Sequence, residues 1–196
     1  MKTVSLFVAT AVILLLPSAH WAQTVEKPSP GGWPNATFEW FYNPQNRPRW
    51  LTQEQARDLV TKAALRWEAC GVKMRYLGET SSEPDQMDGV NTVGWSLRIP
   101  TQLRGLTTGK SRNGRLLERD VAIKADRAEF QQSQRLLEKV ITHELGHAIG
   151  LTHSARCDDV MTLGASCPRA DTETLPIDPT ENDLWRCRAI YGSRKN

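Results

Sequence analysis

Histidines at 143, 147 and 153, with Glu144 and Gly150 between them, constrain this 196-residue chain more than any other feature. Two histidines four apart project from one face of a helix, one turn above the other, so their rings can converge on a single ion. Leu136, Leu137, Val140, Ile141 and Leu145 recur at helical spacing, which predicts a helix over 133–149. Gly150 ends it, because glycine accepts the left-handed conformation found after helices. Leu151 and Thr152 then turn the chain so that His153 reaches the same point. Three neutral imidazoles leave a fourth tetrahedral position open, the donor set of a catalytic zinc ion rather than a structural one. At average residue usage the pattern arises by chance about once in a hundred thousand chains of this length. Every histidine beyond His20 belongs to it.

The rest of the chain excludes several classes. Lys2 followed by an apolar run at 8–16, with small residues at Ala19 and Ala22, reads as a secretory signal over 1–22. The run is too short for a stable transmembrane span. Removing it leaves 24 basic against 22 acidic groups (25 less Lys2). That balance offers no footprint for nucleic acid and no membrane-surface patch. Four cysteines behind a signal point to two disulfides, and the absence of any Cys-x-x-Cys pair weighs against a second zinc site. Cys157 and Cys167 lie ten apart in one irregular stretch and are paired on that basis, leaving Cys70 with Cys187.

Residues 23–36, rich in proline and glycine, are expected to form an extended leader before one domain at 37–196. A strand is expected at 37–42, and an amphipathic helix at 51–70, where Thr52 and Gln55 form a capping box. Further strands are expected at 72–77, 93–99, 103–108 and 120–125, and a last helix runs from a Thr180/Asp183 cap to about 190. Residues 154–178 lack periodicity. The order predicts an α+β domain with one twisted mixed sheet, two long helices and an irregular C-terminal subdomain ending in a helix.

The stretch HELGHAIGLTHS at 143–154 resembles the active-site signature of the metzincin metallopeptidases. Ser154 after the third histidine is similar to the matrixin branch, the relatives of the matrix metalloproteinases. Met161, in Asp159-Val160-Met161-Thr162, matches the methionine that makes a tight turn under the metal in that superfamily. The helix with Trp67, the strand Asn91-Thr92-Val93-Gly94-Trp95 and the closing Asp183-Leu184 and Ile190-Tyr191-Gly192 extend the resemblance over most of 37–192. It implies a secreted zinc-dependent endopeptidase (extracellular, or periplasmic in a bacterium), monomeric, without a membrane anchor, acting on protein or peptide. His143, His147 and His153 would hold one zinc ion. Glu144 would serve as general base, taking a proton from water and passing it to the leaving amine. Substrate would lie extended along an edge strand at Leu103, Arg104, Gly105, Leu106 and Thr107.

The chain also departs from that family. Only 23–36 separate the signal from the domain, so the propeptide cysteine plug of many matrixins is not expected. The histidines of the vertebrate structural zinc are missing, and Thr162-Leu163-Gly164 replaces the usual tyrosine and proline after the turn methionine. Asp85, Asp88 and Asn91 are a candidate calcium site, with an ordinary acidic loop as the alternative. A non-catalytic zinc-binding module and an exopeptidase stay open as rival readings.

Overall fold

The computed structural model describes residues 32–163, 167, 174 and 176–192. The expected signal and residues 23–31 of the expected leader lie outside the described residues. Alternation of aromatic residues drives the first strand, β1 (Thr37–Asn43), which buries Phe38, Trp40 and Tyr42. Helix α1 (Gln53–Leu65) begins at a complete Thr52/Gln55 capping box and turns Ala56, Leu59, Val60, Ala63 and Ala64 inward. The single helix expected over 51–70 is in fact two pieces. Its last turn, Arg66–Cys70, tightens to a 3-10 helix and stops at Gly71, whose φ is 94°.

Strands β2 (Lys73–Glu79), β3 (Thr92–Ser96), β4 (Gly105–Arg112) and β5 (Arg115–Lys124) complete a five-stranded sheet in the order β2-β1-β3-β5-β4. Its neighbours run parallel except β4, which is antiparallel to β5 and occupies one edge. The β4–β5 hairpin is longer than the sequence predicts at both inner ends. Asn113 and Gly114 both have positive φ, 51° and 76°, as the tight turn between twisted strands requires. On the β4 side, residues 109–112 are exposed on both faces and show no alternation, whereas on the β5 side Leu116 is buried between exposed Arg115 and Leu117.

After the short α2 (Ala128–Gln132), which the sequence does not announce, α3 (Gln134–Ala148) starts from a Ser133 cap and packs on α1, β4 and β5. The core between helices and sheet holds Trp40, Trp67, Leu137, Ile141 and Leu145. The loop 80–91 lies over the opposite face, where Gly89 donates to Glu118 at 2.6 Å and Ser96 to Asp85. Helix α4 (Glu181–Tyr191) closes the described chain from a Thr180/Asp183 capping box. The architecture is the α+β arrangement that the element order predicts.

Disulfides join Cys70 to Cys187 and Cys157 to Cys167, so α4 is tied to the end of the first helical segment. Residues 32–36, assigned to the leader from sequence, dock on the domain instead. Trp33 is buried and its indole donates to Ala148 O at 2.8 Å, while Gly32 bridges Arg115. A tryptophan beside proline and glycine gives no periodic signal, although burying its ring is a strong reason to dock.

Candidate metal centre

Helix α3 carries the first two histidines, and its ending delivers the third. Gly150 takes φ 97°. Its N–H donates to His147 O at 2.9 Å, and that of Leu151 donates to Gly146 O at 3.0 Å. These two bonds satisfy the last helical carbonyls and reverse the chain. The reversal sets Leu151 O 2.7 Å from His147 Nδ1 and brings His153 Nε2 to 3.2 Å from His147 Nε2. On the other side of the site His143 Nδ1 lies 2.8 Å from Val160 O.

A carbonyl oxygen can only accept, so both Nδ1 atoms carry the proton and both Nε2 atoms present lone pairs. His143 Nε2 and His147 Nε2 are nevertheless 3.1 Å apart. Two lone pairs at that distance repel unless a cation lies between them. Tetrahedral ligation at ordinary zinc–nitrogen lengths separates ligand atoms by about 3.3 Å, and the 3.1 and 3.2 Å from His147 Nε2 to the other two rings are close to that spacing. Among the described residues this triad is the group of histidine, cysteine and carboxylate side chains able to hold a metal ion. Burial, then the neighbouring His147 ring, lowers the His143 pKa well below the ordinary histidine value. Burial likewise brings His147 to about 4. Both are therefore neutral at pH 7, the form that binds metal.

Glu144 points from α3 toward β4. Thr107 Oγ1 donates to Glu144 Oε2 at 2.8 Å and to Glu144 O at 2.9 Å. Burial pushes this carboxyl up to about 7, and the Thr107 hydroxyl pulls the other way. The close approach depends on Gly105, where a Cβ would stand 2.5 Å from Glu144 Cγ. Of the expected edge segment, Gly105, Leu106 and Thr107 lie in β4. Leu103 sits in a turn closed to Pro100 O, and the Arg104 carbonyl is bonded to Lys124 N, so both precede the strand.

Met161 is fully buried beneath the metal helix, its sulfur against Gly146 where a larger residue would have its Cβ. It occupies a turn closed by Thr162 N to Asp159 O, and its carbonyl accepts from Ser154 N at 2.8 Å. Asp183 holds the same turn from α4 by accepting from Val160 N at 2.8 Å. That second task of a capping residue has no sequence signal, nor has the bond from Thr107 to Glu144. Gly105 could have been noticed as a glycine inside a strand pattern. The candidate calcium residues have other duties. Asp85 pairs with Arg98 at 2.5 Å, Asp88 accepts from Val90 N, and Asn91 bridges Glu39 O and Arg119 N.

The family model described as Matrixin matches residues 32–192. No curated protein matches the chain. Among solved structures it is similar to one described as "GM1 bound form of the ECX AB5 holotoxin". The TM-score is 0.50 and the identity 14%, over 78% of this chain and 80% of that one. At that identity the likeness concerns the fold alone.

Proposed function

The chain belongs to the matrixin family, and on that premise we propose that it is a secreted zinc-dependent endopeptidase using His143, His147 and His153 as ligands. The observation that carries the reading is the meeting of three imidazole nitrogens, one residue from a buried carboxylate. Zinc held there would supply a Lewis acid that polarises a peptide carbonyl and acidifies water. Glu144 accepts a proton on the side facing β4 and returns it to the departing amine. Its pKa near neutrality suits a group that must both take and give. Thr107 fixes the carboxylate rotamer through its hydroxyl.

Among the described residues the outer side of β4 pairs with no other strand, so an extended peptide could add there by backbone hydrogen bonds, with Gly105 to Thr107 beside the reacting group. Two disulfides suit an oxidising compartment. No helix among the described residues is long and apolar enough to cross a membrane.

Hydrolysis of an internally quenched peptide tests the proposal, with free-ended dipeptides as the comparison that separates endopeptidase from exopeptidase. Glu144→Ala should keep the zinc content and melting temperature of the parent and lose a factor of about 10² to 10⁴ in turnover. A parent inactive on every peptide while fully zinc-loaded, or a variant as active as the parent, would refute the assignment.

A further inference from the structure

The two helix histidines sit on α3 and are oriented by their own ring N–H groups. His153 is exposed and rides on a segment, 151–153, with no regular secondary structure. A side chain from α4 reaches that segment. Arg186 Nη2 donates to Thr152 O at 2.7 Å, Thr152 Oγ1 at 3.0 Å and His153 O at 3.2 Å. Its other terminal nitrogen, Nη1, is buried and has no hydrogen-bond partner among the described residues. Burying an unsatisfied donor costs free energy, so a smaller or neutral residue would suit this position if packing were the only requirement. The next residue, Cys187, is bonded to Cys70, so the guanidinium extends from a covalently anchored helix.

We propose that Arg186 is a positioning residue that fixes the 152–153 backbone, so that His153 completes the triad and zinc is retained. The proposal rests on the zinc reading of the site. Electrostatics makes it sharply testable. A positive guanidinium near a dication weakens binding through space, whereas a strut that aims a ligand strengthens it. Neutralising Arg186 therefore moves zinc affinity in opposite directions under the two accounts.

Zinc-loaded parent, Arg186→Leu, Arg186→Gln and Arg186→Lys are mixed with excess chromogenic chelator and zinc release is followed. Melting temperatures of the metal-free proteins serve as the fold control. Supports for metal ligands typically contribute 10–100-fold in affinity, so the Leu variant should release zinc about 10–100 times faster. Gln, neutral but still a donor, should fall between Leu and parent, as should Lys. Metal-free melting should stay within about 2 °C of the parent. The cobalt-loaded Leu variant should show an altered visible spectrum, reporting changed ligand geometry. Release from the Leu variant within about twofold of the parent, or slower, overturns the proposal. So does a low metal-free melting temperature with Gln no better than Leu, which would make Arg186 a general prop. If the Leu variant fails to fold, Gln and Lys decide by the same criteria. A parent that binds no zinc overturns the metal reading and this proposal with it, a result distinct from a loaded parent with an indifferent variant.

Discussion

Asp120→Asn should make the protein more stable at neutral pH. Asp120 is fully buried in β5. Its Oδ1 accepts from Thr92 N at 3.0 Å, while Oδ2 has no hydrogen-bond partner among the described residues. The register sets Thr108 and Thr92 on either side of it in the neighbouring strands, and both hydroxyls are buried without partners too. Burial, opposed by the Thr92 amide and reinforced by Glu118, Asp88 and Asp85, raises its pKa from 3.8 to about 7. That is a gain in proton affinity on the order of a thousandfold, or about 4 kcal/mol at roughly 1.4 kcal/mol per tenfold. Charge screening at the loop trims this to about 2–4 kcal/mol. Between pH 4 and 7 the folded state binds the proton that the unfolded state has released. The stabilisation is thus complete below pH 4 and lost as pH rises through 7. Asparagine keeps the acceptor for Thr92, carries no charge, and offers an N–H toward the two hydroxyl oxygens. Thermal melts from pH 4 to 8, in chelator so that zinc release cancels, should show the variant ahead by roughly 5–15 °C at pH 8. The advantage should shrink to nothing near pH 4. A variant less stable than the parent at pH 8 would refute the argument, because it would mean that the ionised carboxylate is held by a partner. A gain in parent stability on adding calcium would identify that partner as a cation.

Gly105→Ala should cut peptide hydrolysis at least about tenfold with zinc content unchanged, since the new methyl displaces Glu144; unchanged kinetics would mean that the carboxylate works from elsewhere. Metal analysis after dialysis should give a zinc-to-protein ratio near one, and His153→Ala should lose the metal and activity together, because two imidazoles make a poor site. A ratio that stays near one in that variant would exclude His153 as a ligand.

The metal helix was legible because its signals agree: apolar period, serine cap, histidine spacing and terminal glycine all specify the same element. The capping boxes at Thr52 and Thr180 were equally readable, since each is a local bond between residues three apart. What escaped depends on contacts between distant segments. The outer half of β4, residues 109–112, is exposed on both faces and carries no alternation, so on that strand the Asn113-Gly114 pair is what marks the hairpin. The docking of Trp33 on Ala148, the Thr107 bond to Glu144 and the Arg186 contact with the histidine loop span 115, 37 and 33–34 positions. No local pattern encodes them.

The Cys70–Cys187 bond has a consequence for a chain that could meet copies of itself as substrate. Its two sulfurs close a ring over 117 positions, which contains every candidate zinc ligand and the exposed loop tip at 86–89. A self-inflicted nick at that tip opens the ring without releasing a fragment. The segment with α1 and Trp67 stays tethered to the one with α3 and α4, and Trp67 keeps its 2.9 Å bond to Thr142 O across the cut chain. Nicked molecules would run as one band unreduced and as two once reduced, and the metal centre would outlast the injury.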